Sequence, residues 1–495
     1  MIYSLSFGKM TDSERALALS LQGIVNRKNK EVFIDVDKYS CYLEDEPIQQ
    51  TDVLSLLEKY KDYFDGFVSY NLSDSDLSIN IATTISAAHE VLGVPKQLEQ
   101  AVITMGLKKL FDLTQLQGDD VDKQKIVFDA CLPFLNKDGL VHQVVRPNNF
   151  HLRLRDLAIC RRFACVYTDE SDKGREFRRY VLSKLNANIP IYGWTTDEIT
   201  FVKDVSSFGD YVLPSDWSCN HSFFNNAAQE IKQTRRNSPV KQGKHFVALV
   251  VSDGDNLQWL ERDFSMPCGN FGQRVNTAQT YKMNWTFSPS MAQLCPQVAS
   301  NIFAMAKNDY FICSVSGIGY ANLLRFPREH LQAFTQKTVQ AMQNSHLRIV
   351  CMLDNVIDTT DENHVQEVLN YYSQYDTILG GVWELDPDRY ASGKGKIFWS
   401  NGKPFVSVRF TLWHPSCQMS QVTNQWLKDL ALQVNAMPVS ENTEEGYSVI
   451  NVHPWTMTQQ SVDYFVSQLD REKIEIVYID EMLELLRKNV GDKKW

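Results

Sequence analysis

The sequence predicts an α/β protein in which N-terminal α/β subdomains precede a (β/α) barrel of seven or eight strands. Short apolar segments alternate with amphipathic segments along the chain, which is typical of parallel sheets whose strands are joined by helices. In the C-terminal half the apolar segments recur roughly every 30 residues, the length of one βαβ step, and about eight such steps close a barrel. The chain has 495 residues, too many for one ordinary core, so we expect two or three domains.

The N-terminal region, residues 1–235, is predicted to form one or two α/β subdomains without evident chemistry. A capping-box pattern from Thr11 to Glu14 marks the start of a helix. A second helix is predicted at 79–91, with a helix-stop pattern at 93–95. No glycine-rich phosphate loop accompanies these elements. Strands are predicted at 32–36, 67–70, 163–167 and 189–193.

A linker is predicted at 236–244, because this stretch is polar and basic and contains Pro239 and Gly243. The second domain then covers residues 245–495. Its apolar strands are predicted to end near eight polar residues, which are Asp253, Ser288, Ser316, Asp354, Glu384, His414, His453 and Asp480.

The first strand of the second domain ends in a cluster of acidic and small residues. A valine-rich run is followed by Asp253, Gly254, Asp255 and Asn256. A strand buried on both faces cannot keep two carboxylates in its middle, but it can hold them where it leaves the sheet. The carboxyl-terminal strand ends of α/β folds are where ligands bind. The alternative is an acidic turn that only makes the strand end soluble.

Four carboxylates at these strand ends are candidate catalytic residues, namely Glu384, Asp255, Asp253 and Asp354. Glycoside hydrolysis needs one carboxylic acid to protonate the leaving oxygen and a second carboxylate as nucleophile or base. Glu384 is the best candidate for the acid, because it follows an apolar strand and partial burial would raise its pKa. Asp354 is the candidate partner carboxylate, and Asp253 and Asp255 are expected to bind substrate or to act as acid or base.

Aromatic and polar residues near the same strand ends are candidates for substrate binding. The three tryptophans among them would form a sugar platform if exposed, although packing in the core is the more common role for each. The tyrosine follows two glycines that allow close approach of the backbone to a ligand. These candidates are Asn256, Tyr320, Trp383, Trp413, His414, His453 and Trp455, and an eighth strand would add Asp480 and Glu481.

The same residues contain a metal alternative. Asp253, Asp255, His414 and His453 are suitable ligands for a divalent ion. No HxxxH or HExxH pattern accompanies them, so we predict no cofactor and keep a divalent metal as the alternative. A serine-based triad is not favoured, because the chain has no GxSxG elbow.

Composition narrows the choice of partners. The net charge of −10 argues against general nucleic-acid binding, which needs a basic surface, and leaves carbohydrates open. The ten cysteines form no CxxC pair, which favours a reducing compartment or incidental burial. No signal peptide or membrane span is recognisable. We therefore expect a soluble protein, either cytoplasmic or exported with its leader removed.

Three segments resemble the GxGYxYP family of glycoside hydrolases, whose activity is assigned by analogy. They are 21–27 (LQGIVNR), 251–259 (VSDGDNLQW) and 316–320 (SGIGY). Where the family motif continues with Tyr-Pro, this chain has Ala321-Asn322-Leu323. The resemblance covers nearly the whole chain and implies N-terminal α/β domains, a barrel similar to a TIM barrel, a carbohydrate substrate and a bacterial source.

The barrel is also similar to that of polysaccharide deacetylases, which carry paired aspartates after the first strand and a histidine near the last. Asp253, Asp255 and His453 would be the corresponding metal ligands, although the HxxxH pair of that family is missing. The leading hypothesis is therefore hydrolysis of glycosidic bonds. The alternatives are a metal-dependent carbohydrate deacetylase and a glycan-binding protein without activity.

Overall fold

The computed structural model describes residues 1–36, 42–43, 47–73, 75–145, 153–224, 231–233, 239–277, 279–354 and 362–491. The chain divides into two compact units. The first comprises Met1–Ala227 with Leu294–Gln297, and the second comprises Ala228–Gln293 with Val298–Trp495. Of the predicted linker, residues 239–244 are described and form neither helix nor strand, and the remainder lies outside the described residues.

The described part of the first unit contains three parallel sheets. Their strand orders are β2-β1-β3, β5-β4-β6 and β10-β9-β7-β8. The strands are β1 (Ile2–Ser6), β2 (Val32–Asp35), β3 (Ile48–Thr51), β4 (Gly66–Tyr70), β5 (Val91–Pro95), β6 (Lys109–Asp112), β7 (Leu140–His142), β8 (Ala164–Val166), β9 (Pro190–Gly193) and β10 (Tyr211–Leu213). The helices are α1 (Asp12–Lys28), α2 (Val53–Tyr60), α3 (Ser78–Ala88), α4 (Glu99–Thr104), α5 (Asp120–Cys131), α6 (Arg155–Arg161), α7 (Asp172–Leu182), α8 (Glu198–Ser207) and α9 (His221–Phe224).

Most local predictions for this unit are confirmed. The four predicted strands correspond to β2, β4, β8 and β9. The capping box starts α1, since the Glu14 amide donates to Thr11 Oγ1 at 3.3 Å and the Thr11 amide donates to Glu14 Oε2 at 2.7 Å. The helix-stop pattern at 93–95 was wrong, because these residues lie in β5. A Cβ on Gly93 would stand 2.9 Å from Ser20 Oγ, so close packing against α1 requires the glycine.

The second unit is built on a closed barrel of seven parallel strands, which confirms the predicted fold class. The seven strands pair in the order β11-β12-β13-β14-β15-β17-β18, and the pairing of β18 with β11 closes the ring. The strands are β11 (His245–Val251), β12 (Met283–Phe287), β13 (Asp309–Cys313), β14 (Ile349–Asp354), β15 (Gly380–Leu385), β16 (Ile397–Ser400), β17 (Lys403–Leu412), β18 (Tyr447–Val452) and β19 (Ile474–Ile476).

Helices follow most of these strands and complete the (β/α) pattern. They are α10 (Leu257–Glu261), α11 (Asn270–Asn276), α12 (Met291–Leu294), α13 (Pro296–Met305), α14 (Arg328–Asn344), α15 (Glu362–Ser373), α16 (Asn424–Asn435), α17 (Gln459–Ser467) and α18 (Ile479–Asn489). Six barrel strands are buried at every residue, as apolar parallel strands between an interior and a helical layer must be. Among the described residues, no helix has both the length and the apolar composition that crossing a membrane requires.

The predicted eighth strand end was wrong. The strand β19 exists, but it pairs with His245–Val247 at the beginning of β11 and lies outside the ring. Asp480 and Glu481 belong to the first turn of α18, and Glu481 forms an ion pair of 2.8 Å with Lys282, immediately before β12. The start of β11, which pairs with β19, and Lys282, which precedes β12, both lie at amino-terminal ends of barrel strands. Asp480 and Glu481 therefore lie at the end of the barrel opposite the candidate site.

Candidate active site at the carboxyl-terminal end of the barrel

A sharp turn at the end of β11 positions the acidic cluster. Asp253 has a left-handed φ of 66°, a strained conformation for a residue with a side chain. Thr286 Oγ1 donates to the Val251 carbonyl at 2.7 Å and accepts from the Gly254 amide at 2.9 Å. A Cβ at Gly254 would lie 1.9 Å from the Thr286 carbonyl oxygen, so only glycine fits there. The turn thus holds the two aspartates in a defined orientation.

The three polar residues of this turn have different surroundings. Asp253 is partly exposed, and its Oδ1 accepts a 2.8 Å hydrogen bond from the indole N–H of Trp455. Asp255 is 7% exposed. Asn256 is the N-cap of α10, because its side chain accepts from the Trp259 amide at 3.3 Å. This cap accounts for Asn256 without a ligand.

Glu384 lies inside the barrel and is completely buried. Its Oε1 accepts a 3.2 Å hydrogen bond from Asn451 Nδ2. Burial raises the pKa of Glu384 well above its usual value, and the charges of Asp253 and Asp255 raise it further. The three carboxyl groups are therefore close enough to act on one another, and both effects favour the protonated form of Glu384. The structure thus brings side chains from the ends of β11 and β15 near one another.

Asp354 is held by different partners. Its Oδ2 accepts from the Trp383 indole N–H at 2.9 Å, and its Oδ1 accepts from the Leu324 amide at 3.3 Å. Burial raises its pKa to about 7. The Trp383 ring is completely buried against Phe398, with ring centroids 5.1 Å apart. Trp383 therefore packs in the interior and holds Asp354, and its ring presents no surface to a sugar.

An aromatic pair stands beside the acidic cluster. The rings of Trp413 and His453 are stacked, with centroids 3.6 Å apart and an interplanar angle of 2°. His453 Nδ1 lies 3.0 Å from Thr456 Oγ1. Burial lowers the pKa of His453, and the nearby charge of Asp253 opposes this shift. His453 is therefore neutral at pH 7 and adjoins the cluster as a hydrogen-bonding group.

Trp455 presents the exposed aromatic surface of the site, since its side chain is 43% exposed. Its ring rests on Trp259 at 5.0 Å between centroids, and its N–H is directed to Asp253. A rigid, exposed indole beside a carboxylate is suited to stacking against a sugar ring.

The two remaining predicted binding residues are engaged elsewhere. His414 Nδ1 lies 2.7 Å from Ser416 Oγ in its own loop, and its ring contacts Trp426 at 5.1 Å. Tyr320 is buried, 2% exposed. It follows Gly317, whose φ is 133° and whose Cβ would meet Thr338 Oγ1 at 2.5 Å. Close packing on α14 accounts for that glycine.

The sequence interpretation missed Asn451, because it lies in the middle of an apolar strand where core residues are expected. A polar residue between Ile450 and Val452 was the available signal, since a buried amide needs a hydrogen-bond partner. The metal alternative has no compact ligand set in the second unit. No three described His, Cys, Asp or Glu side chains of that unit bring their ligand atoms within 4.8 Å of one another.

Comparison with known proteins agrees with this architecture. Residues 243–487 match a family model described as "GxGYxYP putative glycoside hydrolase C-terminal domain", and residues 140–226 match "GxGYxYP third domain". A search of curated proteins finds no match.

Two solved structures are similar to the chain. One is described as a putative hydrolase from Bacteroides thetaiotaomicron, with a TM-score of 0.83 and 22% identity over 99% of this chain and 95% of that one. The other is described as a putative polysaccharide deacetylase from Mycobacterium smegmatis, with a TM-score of 0.33 and 10% identity over 52% of this chain and 96% of that one. The first shares the fold of this chain. Because both family models represent domains of one family and match separate parts of the sequence, the chain belongs to the GxGYxYP family.

Proposed function

We propose that this protein is a carbohydrate-active hydrolase that cleaves glycosidic bonds at the carboxyl-terminal end of the barrel. The observation that carries the proposal is the pairing of a buried Glu384, whose pKa is raised, with the nearby carboxyl groups of Asp253 and Asp255. Glycoside hydrolysis uses one protonated and one ionised carboxyl group, and their environments must separate the two pKa values. The description of the family as putative glycoside hydrolases supports the same reaction class.

Glu384 is the general acid in this proposal. Its Oε2 accepts no hydrogen bond from a nitrogen or oxygen donor of the described residues, and the Cys351 thiol is a weak polar neighbour of the carboxyl group. In this proposal the proton on Oε2 is the one that passes to the glycosidic oxygen of a substrate. Asp255 acts as the nucleophile or as the base that activates water, and Asp253 binds substrate next to the Trp455 platform.

The proposal is tested by kinetics of the variants Glu384→Gln and Asp255→Asn. We expect each to lower kcat on chromogenic glycosides by roughly 10²- to 10⁴-fold, the usual contribution of a general acid or base. The loss in Glu384→Gln should be much smaller with an activated leaving group such as dinitrophenolate, because that group departs without a proton. Asp429→Asn, which removes an exposed carboxylate on α16, should behave like the wild type.

Three outcomes would contradict the proposal. Wild-type rates in both variants would show that Glu384 and Asp255 are not catalytic residues. Acetate release from acetylated sugars that stops with a chelator would identify the metal-dependent deacetylase. Saturable oligosaccharide binding without product after long incubation would identify a glycan-binding protein.

A further inference from the structure

A bulge in β17 determines which side chain faces Asn451. The pairing of β17 with β18 passes from Val408 opposite Val449 to Phe410 opposite Ile450, so Arg409 is an extra residue. The next pair is Thr411 opposite Asn451. With regular pairing, Arg409 would stand opposite Ile450, and Phe410 would stand opposite Asn451. Residues in register lie on the same face of a sheet, and bulges near active sites redirect side chains in this way.

The bulge thereby completes a short chain of buried hydrogen bonds. Thr411 Oγ1 donates to Asn451 Oδ1 at 3.3 Å, and Asn451 Nδ2 donates to Glu384 Oε1 at 3.2 Å. Asn451 is completely buried and Thr411 nearly so. Because the hydroxyl group occupies Oδ1, the amide group is oriented with its N–H bonds towards the carboxyl group.

This orientation distinguishes the two oxygens of Glu384. Oε1 accepts the amide N–H, so a proton on that oxygen would face another hydrogen atom. Oε2 has no such donor. The stable protonated form therefore carries its hydrogen on Oε2 and keeps Oε1 as the acceptor.

We propose that Asn451, oriented by Thr411, is a positioning residue that directs the proton of Glu384 to Oε2, the oxygen that accepts no amide N–H. The inference rests on the proposed function. In the glycosylation step the O–H bond at Oε2 breaks, and the proton joins the glycosidic oxygen. The bond from that oxygen to the anomeric carbon breaks with its electron pair on the oxygen. Asp255, or a water molecule that gives its proton to Asp255, supplies the new pair to the carbon. The Asn451 N–H then stabilises the carboxylate left on Glu384.

The activity test uses Asn451→Leu, Thr411→Val and Thr411→Ser. We expect Asn451→Leu to lower kcat roughly 10- to 100-fold, because a misplaced acid loses its alignment with the substrate. The alkaline limb of the pH profile of kcat should move to higher pH in this variant, since the ionised form of Glu384 loses a hydrogen-bond donor. Thr411→Val should change both in the same direction to a smaller extent, and Thr411→Ser should restore them. Ser407→Ala, whose hydroxyl donates to the Lys396 carbonyl at 2.9 Å on the same strand, is the matched control.

A second readout separates this inference from the proposed function. Infrared difference spectroscopy follows the carbonyl stretch of the protonated carboxyl group, assigned by its disappearance in Glu384→Gln. The neighbouring titratable groups that also act on Glu384 are Asp253, Asp255, Cys351 and Asp386, and they are unchanged in every variant. The band should shift and titrate at higher pH in Asn451→Leu.

This spectrum needs no turnover. A wild type that hydrolyses no glycoside would contradict the proposed function, but its carbonyl band would still test whether Asn451 positions the proton of Glu384. An identical band and titration in the wild type and Asn451→Leu would overturn the inference. If circular dichroism shows that Asn451→Leu is unfolded, Thr411→Val carries the same test with the same two outcomes.

Discussion

The stability of the barrel should fall as the pH rises through the titration of Asp354. This carboxyl group is 1% exposed, and burial raises its pKa from 3.8 to about 7. Between these values the folded protein binds a proton that the unfolded chain has released, so the contribution of Asp354 to stability is largest below about pH 4 and decreases up to about pH 7. Since one pKa unit corresponds to 1.36 kcal/mol, the free energy of unfolding should decrease by about 4 kcal/mol over this window.

The variant Asp354→Asn isolates this effect because the side chain stays neutral at every pH. Its amide can accept from only one of the two donors, Trp383 Nε1 and the Leu324 amide. That loss is a fixed cost of about 1–3 kcal/mol that does not depend on pH. Relative to the wild type, the variant should gain about 4 kcal/mol between about pH 4 and pH 8.

Hydrogen exchange of peptides from β14 and β15 measures this difference in the barrel itself, which avoids treating the whole chain as one folding unit. Glu384 contributes to the pH dependence of stability in both the wild type and Asp354→Asn, so its contribution cancels in the difference between them. Asp388→Asn, which removes a carboxylate with a 59% exposed side chain, should show no such trend. A stability difference between Asp354→Asn and wild type that stays constant across the pH range would refute the reasoning.

Two other substitutions probe the turn and the platform. Gly254→Ala should destabilise the protein by about 1–3 kcal/mol or more, because its methyl group would overlap the Thr286 carbonyl. Gly8→Ala is the control, because its methyl group meets no atom within 4 Å. Thermal unfolding compares the two variants, and equal unfolding midpoints would contradict the prediction. Trp455→Phe should lower kcat/KM by roughly tenfold without altering the fold, because Asp253 loses its indole donor. Trp455→Ala should in addition raise KM. Unchanged kinetics in both variants would show that Trp455 does not belong to the site.

The positions of the barrel strands could be predicted well from the sequence. A strand buried between the barrel interior and the helices must be apolar along its length, and the first polar residues mark its exit. For this reason the predicted ends near Asp253, Ser288, Ser316, Asp354 and Glu384 lie within three residues of the observed ones. The capping box at Thr11 was equally local, because its partner is three residues away.

One local signal was available but not used. Asn401-Gly402 forms the turn between β16 and β17, with φ values of 48° and 68°, and this dipeptide favours tight hairpins. The helix expected between consecutive barrel strands is replaced there by this antiparallel hairpin.

The sequence by itself determined the strand ends, the fold class and the acidic turn at Asp253, because each depends on neighbouring residues and on the need to keep charge out of a buried strand. Only the tertiary structure decided that the ring closes at seven strands and that Asp480 lies at the opposite end. It also decided that Glu384 is completely buried near Asp253 and Asp255, which raises its pKa, and that Asn451 contacts it. The reason is physical: burial and electrostatic coupling arise between side chains far apart in sequence, and strand-by-strand patterns contain neither.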